Sequence, residues 1–370
     1  MKACLTGSTG FVGGHVARVL AEAGHDVRVT YRDGRRLARL GDLELEAVKA
    51  DVLDGAAMRR AARGADVLFH CAGVVGARPV ARVWEVNAVA PRVAVEAAAA
   101  AGVPRVVVTS SVAGIGPAAP GEVGDERDVY TRGHLGLTYV DAKHEGETGA
   151  LAAGARLGVD VVIVNPSYVL GVPVDRTQPG ETSTRTVGNY LRGRLPAVVD
   201  GFTNIVDVED VARGHLLAAE KGRPGERYVL GGHNRSWVEV IDRIAELSGV
   251  SHPLLVIPPE LASAARTAES LGLPGLVSAE GVVLMAQNWR YSSRKARREL
   301  GFRARTLDRT LRATIDWYLD LIERGAFAGS SSSALSLASA GMRVAERLRL
   351  VDALRGAEER LGRRLVAGAR

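Results

Sequence analysis

The chain has 370 residues, of which 46% are hydrophobic and 24% charged, with a mean hydropathy of +0.04 and a formal net charge of +6. Such a chain buries a core and divides into two lobes plus an appendage, and its composition excludes a disordered polypeptide. Residues 330–370 carry eight arginines and four acids, so four of the six surplus charges sit there; the remainder is close to neutral, and no nucleic-acid partner is expected.

In chain order, the first run, Lys2–Thr6, reads as a strand and leads directly into a glycine-rich turn. It has neither the apolar stretch nor the cleavage site of a signal peptide, and no run of 18 uncharged apolar residues follows anywhere. Cys4 and Cys71 lie in apolar strand-like runs and read as buried small side chains in a reducing compartment. A cytoplasmic location is expected. No Cys/His cluster has metal-ligand spacing, and no metal is expected.

Further strands are expected at Asp26–Tyr31, Leu45–Ala50, Val67–Cys71, Arg105–Thr109 and Val159–Asn165, separated by helical stretches at Phe11–Ala23, Ala56–Ala62, Val80–Ala101 and Val140–Leu157. This alternation predicts an α/β fold, a Rossmann doubly wound parallel sheet with helices on both faces. Residues 1–165 form the nucleotide-binding domain in this reading. Residues 166–329 form a smaller substrate-binding lobe, with a strand at Asn204–Val208, a helix at Val211–Lys221 and a strand at Arg227–Gly231 that lace back into the sheet. Helices at Trp237–Ser248 and Leu307–Arg324 complete the body. Ser330–Ser333 is a linker by composition. Beyond it, apolar residues recur at helical spacing over 334–366 among arginines and glutamates. That helix reads as docked on the body or on a second subunit, in preference to lying on an anionic membrane, because its acids dilute the basic face.

The turn Gly7-Ser8-Thr9-Gly10-Phe11-Val12-Gly13 places glycines where a side chain would keep the backbone from a pyrophosphate. The helix it opens offers free N–H groups and a positive dipole end to that anion. Gly7, Thr9, Gly10, Phe11, Val12 and Gly13 are therefore candidate dinucleotide contacts. The second strand ends at Tyr31 without the acid that would hold an adenine ribose; Arg32 follows, with Arg35 and Arg36 close behind. A guanidinium suits a 2′-phosphate, which favours NADP(H). NAD(H) stays open if Asp33 takes the ribose. Asp51 and Val52 stand where an adenine would pass, although Asp51 also suits a turn or helix cap. Cys71-Ala72-Gly73 supplies small residues along the nucleotide's path, and His70 reads as a strand-end core histidine.

Tyr139 and Lys143 stand at i and i+4, on one helix face. A nearby ammonium lowers the phenol's pKa toward a useful range and can hold a ribose hydroxyl. Upstream, Thr109-Ser110-Ser111 ends the fifth strand at the sheet's carboxyl edge, where a hydroxyl can steady a substrate oxygen.

With these motifs the chain resembles the extended short-chain dehydrogenase/reductase superfamily, the NAD-dependent epimerase/dehydratase group. It is most similar to its dihydroflavonol 4-reductase-like and hopanoid-associated sugar epimerase-like branches. The resemblance covers roughly residues 1–320 and is also carried by Val86-Asn87, Asn165-Pro166-Ser167, Asn204–Val211 and Gly225–Gly232. It implies a catalytic trio of Ser111, Tyr139 and Lys143, with Asn87, Pro166 and Ser167 at the nicotinamide end, and a homodimer. Two departures stand out. The serine usual before the motif lysine is Ala142, and the arginine with which nucleotide-sugar enzymes grip a diphosphate is replaced by Gly201-Phe202-Thr203-Asn204. The expected function is interconversion of a ketone and a secondary alcohol on a small, apolar metabolite. A sugar epimerase or dehydratase that retains NAD is the alternative, and a non-catalytic scaffold a third reading that an intact trio opposes.

Overall fold

A computed structural model describes residues 1–41, 43–180, 183–262 and 279–327. The serine linker and the expected 334–366 helix lie outside them. Seven strands form the central sheet: β1 (Lys2–Thr6), β2 (Asp26–Tyr31), β3 (Glu46–Lys49), β4 (Val67–His70), β5 (Arg105–Thr109), β6 (Asp160–Pro166) and β10 (Arg227–Leu230). All pair in parallel, in the order β10-β6-β5-β4-β1-β2-β3. The central strands do not alternate polar and apolar residues: all four residues of β4 and the middle three of β5 are buried, as covering on both faces requires.

Two separate apolar clusters form that covering. On one face, Val16, Ala17 and Leu20 of α1 (Phe11–Glu22) pack with Val211, Ala212 and Ala218 of a later helix, α8 (Val208–Lys221), over Leu5, Phe69 and Val107. On the other, Ala57, Met58 and Ala61 of α2 (Gly55–Ala62) join Ala94, Val95 and Ala98 of α4 (Ala90–Ala101) and Ala150 and Ala153 of α6 (Thr138–Leu157) over Cys4, Leu68 and Val106. The alanines keep α4 and α6 close.

Beyond shifts of one or two residues at element ends, three features differ from the sequence expectation. The single helix expected over 80–101 is α3 (Val80–Trp84), a π turn at Glu85–Val89 and then α4. The wider turn lies against Gly146 of α6, where a Cβ would come within 1.9 Å of the Asn87 carbonyl oxygen, so glycine is required for the helices to cross there. The helix expected from Val211 begins at Val208, because Asp207 caps it, its carboxylate accepting from Glu209 N. Its preceding strand, β9 (Phe202–Asp207), joins β7 (Tyr168–Leu170) and β11 (His233–Ser236) in a separate sheet; only β10 of this region enters the main one.

That small sheet, a pair formed by β8 (Ala197–Val199) and β12 (Leu255–Ile257), and the helices α7 (Arg185–Leu191), α9 (Trp237–Ser248) and α12 (Leu307–Glu323) enclose a third cluster around Trp237, Ile241, Leu311 and Tyr318. A fourth, with Val112 and Ile115 of α5 (Val112–Ile115), Leu137, Val140, Trp289 and Tyr291, lies between the sheet edge and the lobe. It also includes Val283 of α10 (Ala279–Met285). α11 (Arg294–Leu300) packs Ala296 and Leu300 back onto the first face. The order in which the chain adds strands reverses between β1 and β4, so the connections leave in opposite directions there and open a crevice at the carboxyl ends of these parallel strands.

Candidate active site

A cavity of about 750 Å³ opens at that crevice. It runs from the end of β2, past the turn after β1 and the ends of β4, β5 and β6, to α10 and Trp289.

The turn after β1 is held by contacts that leave no room for side chains. Gly7 sits at φ +71°, and a Cβ on it would lie 2.6 Å from Ala72 N. On Gly13 a Cβ would stand 2.2 Å from Gly7 O, and on Gly10 3.2 Å from the same atom. Gly10 is the N-cap of α1 and brings no side-chain acceptor to it, so the first N–H groups remain available to an anion. Thr9, Phe11 and Val12 also line the cavity, as do Ala72, Gly73 and Cys71 across from them. These residues fit a dinucleotide pyrophosphate.

At the end of β2 the wall carries Arg32, Arg36 and Arg39. Asp33 is not part of it: its carboxylate accepts from Arg35 N at 3.1 Å and from Arg35 Nε and Nη2 at 3.0 Å each. That pairing holds Asp33 below the usual carboxylate range. Val52 lines the cavity, whereas Asp51 does not. Asp51 Oδ1 accepts from Leu53 N at 3.0 Å, and Oδ2 stands 3.9 Å from Arg32 Nη1; the turn role is the one seen.

The sheet's carboxyl edge brings Ser111, Tyr139 and Lys143 together. Ser111 ends β5's extension and caps α5, its Oγ accepting from Ala113 N at 3.2 Å and lying 3.4 Å from Pro166 O. The Tyr139 phenol shares that part of the wall, and the Ser111 hydroxyl favours its ionised form. Lys143, one turn on, donates to Thr109 O at 3.1 Å. Gly73 leaves space for it, since a Cβ there would lie 3.4 Å from Nζ. Pro166 and Ser167 line the same region. Ser167 Oγ is buried with no hydrogen-bond partner among the described residues, and such a group fits a polar ligand edge. Asn87 does not line the cavity. It lies within the π turn and clamps Val74, accepting from its N–H at 3.2 Å and donating to its carbonyl at 2.8 Å; it shapes the wall rather than forming it.

Burial sets the protonation states here. It pulls Lys143 down to about 8, against the opposing influence of Cys71 and Glu147. The Tyr139 phenol, expected to be lowered by the lysine, is instead raised by burial, with the Ser111 hydrogen bond offsetting part of the rise. Burial also pushes Cys71 up to about 12 and, together with Lys143, pushes His70 down to about 3. His70 Nδ1 meets Thr6 Oγ1 at 3.1 Å, so His70 is a neutral core histidine. The Thr109 hydroxyl lies 2.8 Å from His215 Nε2 and 3.2 Å from Cys71 Sγ, which fixes the strand end that receives Lys143. One prediction follows from the lysine. It is charged below about pH 8 and loses its proton as pH rises through that value, so kcat/KM should fall on the alkaline side with a free-enzyme midpoint near 8. A pH series of initial rates checks it; a flat profile to pH 10 would show that the ammonium is not needed.

Of the other wall residues, Trp237, Glu280, Leu284 and Met285 fall within Gly232–Met285, a segment whose apolar runs and scarcity of charge mark it in the sequence as pocket wall, whereas Leu137 and Trp289 carried no local signal. Glu147, which is buried behind the wall, had a local signal: it is an acid on the same helix face at i+4 from Lys143 and i+8 from Tyr139.

A doubly wound sheet with a glycine turn at its switch point defines a Rossmann-type nucleotide-binding protein. The chain belongs to the NAD dependent epimerase/dehydratase family, whose model matches residues 3–231. It is an NAD(P)-dependent oxidoreductase of the extended short-chain type. It is 33% identical to a putative dihydroflavonol 4-reductase of Synechocystis sp. over 85% of this chain and 93% of that protein. It is 34% identical to sterol demethylase protein B of Methylococcus capsulatus, over 70% and 79% respectively. Among solved structures, a nucleoside-diphosphate-sugar epimerase from Pseudomonas aeruginosa superposes with a TM-score of 0.72 at 33% identity, covering 86% of this chain and 98% of that one. Among the described residues, no helix is long and apolar enough to cross a membrane and no group of His, Cys, Asp and Glu side chains could hold a metal ion.

Proposed function

We propose that this protein is an NADPH-dependent ketoreductase acting on an apolar carbonyl compound. The observation that carries the reading is the charge along the cavity. Arg32, Arg36 and Arg39 line the end of β2, where Asp33 is held away by Arg35. Beyond Ser111 and Tyr139, the wall contributed by α5, β7, α10, Trp237 and Trp289 has Glu280 as its one charged group among the described residues, and Arg82, which pairs with Glu85, and Asp175 complete the charged lining outside the trio. A 2′-phosphate suits the first end; a diphosphate would meet a carboxylate at the second.

NADPH, when bound, supplies the hydride that reduces the carbonyl carbon. Ser111 holds the carbonyl oxygen as charge develops on it, and the Tyr139 phenol delivers its proton to that oxygen. A phenol raised above its ordinary pKa is protonated before the reaction, as an acid must be. Lys143, anchored on Thr109 O, supplies an ammonium one helical turn from the phenolate left behind and would hold the cofactor's ribose. Ser167 Oγ, buried without a partner among the described residues, would be free to meet a polar edge of the cofactor.

The likeness to a nucleoside-diphosphate-sugar epimerase favours a second reading, transient oxidation of a sugar with retained NAD. Denaturing the purified protein and identifying any released nucleotide separates the two: tightly held NAD supports the epimerase. An empty site that prefers NADPH over NADH supports the reductase, and Arg32→Asp should then weaken NADPH binding between roughly ten- and a hundredfold while NADH changes little. Equal losses for both cofactors would remove Arg32 from the phosphate site.

A further inference from the structure

We infer that Glu147 is a positioning residue for the catalytic trio, fixing the Ser111 end of β5 through Asn165 and presenting its carboxylate to the Lys143 ammonium from the same face of α6. The inference rests on the reading of Ser111, Tyr139 and Lys143 given above.

Glu147 is only 3% exposed, an unusual place for a carboxylate. Its two oxygens have different tasks. Oε2 accepts from Asn165 Nδ2 at 2.8 Å, and that same amide donates to the Ser111 carbonyl at 2.9 Å. Any shift of the carboxylate is thereby passed to the backbone that carries the catalytic hydroxyl. Oε1 meets Arg227 Nη1 at 3.1 Å. Arg227 cannot follow a moving partner, because its Nε and Nη2 each donate at 2.8 Å, to the carbonyls of Glu126 and Asp128. The carboxylate also lies directly beneath α5. A Cβ on Gly114 would come within 3.1 Å of Glu147 Oε2 and 2.7 Å of Ser110 Oγ, so the glycine lets the helix that Ser111 caps settle onto it.

The charge has a second consequence. The groups whose charges act on Lys143 or respond to it are Cys71 and His70 from β4 and its edge, and Glu147 from its own helix. Burial leaves Cys71 a neutral thiol and His70 a neutral imidazole at ordinary pH. Glu147 is then the anion that opposes loss of the Lys143 proton. A leucine would fill the space equally well but would do neither task.

The chain contains five lysines, Lys2, Lys49, Lys143, Lys221 and Lys295, so Lys143 can be followed directly. The full chain, labelled with ¹³C at lysine Cε, is titrated by NMR without substrate, and Lys143→Ala identifies the resonance. The expected midpoint is near 8 in the parent chain. In Glu147→Gln it should fall by about half a pH unit, roughly a threefold rise in the ionisation constant, with Lys2 and Lys49 unmoved. An unchanged Lys143 midpoint in a Glu147→Gln chain that melts cooperatively overturns the inference, since a merely structural carboxylate would leave that value alone. If Glu147→Gln does not fold, Glu147→Asp replaces it; withdrawing the charge should lower the midpoint by a smaller step, and no step again overturns the inference. The trio itself fails separately, if Lys143→Ala binds NADPH as well as the parent chain does.

Discussion

Replacing Tyr139 with phenylalanine should lower the rate of ketone reduction by roughly a thousandfold while NADPH affinity stays within a factor of about two. The substitution removes one oxygen and leaves the ring, which packs against the cluster of Val112, Leu137, Val140 and Trp289. Ser111 keeps its hydrogen bond from Ala113 N, and Lys143 keeps Thr109 O. The loss therefore isolates the proton that the phenol supplies. Steady-state oxidation of NADPH with a ketone, alongside a binding titration, makes the measurement. A fall of less than tenfold would mean that the proton comes from another donor, and the mechanism above would have to be redrawn.

The second large effect is expected at Gly13. Alanine there would put its Cβ 2.2 Å from Gly7 O and 2.7 Å from Gly7 C. Both are backbone atoms of a residue that is itself at φ +71° and is pressed against Ala72, so the turn can relax only by opening. Gly13→Ala should cost about 1–3 kcal/mol of stability, in the range for overpacked sites, and weaken NADPH binding by at least about a hundredfold. Gly10→Ala is the internal comparison. Its Cβ would stand 3.2 Å from Gly7 O, which a small shift accommodates, so its losses should be several times smaller. Thermal unfolding and NADPH titration of both variants test the ordering. Equal effects would show that the close approach at Gly13 is not what shapes the cofactor turn.

Much of this architecture is legible in the residues because its signals are local. β1 ends where its apolar run meets Gly7, β2 lies between His25 and Arg32, and β5 lies between Pro104 and Ser110, and the glycine turn needs only its neighbours to be read. What escapes is set by contacts between distant segments. The run from Val80 to Ala101 has uniform helical character, and nothing in it announces a π turn whose environment includes Gly146, some sixty residues away. The motif at Val86-Asn87 stands out, yet its amide goes to Val74 instead of the cavity. Tyr139 and Lys143 were identifiable by spacing, but the raised phenol was not, because burial depends on walls from Leu137, Trp289 and α10. The substrate end is the least legible part for the same reason: its apolar side chains are drawn singly from segments that share no motif.

The position of β10 bears on how the chain reaches this state. β6 holds five consecutive buried apolar and amide residues, Val161 to Asn165, and one of its edges is completed only by residues 227–230. During synthesis, the nucleotide-binding half is therefore made with an apolar parallel strand lacking a neighbour until about sixty more residues have been added. Open strand edges of that kind pair readily with other chains. The part of the small lobe formed by β7, α7, β8 and β9 is thus inserted in the chain ahead of the strand that seals the sheet, and a ribosome that stalls between residues 166 and 227 leaves a nascent chain whose sheet is open along β6.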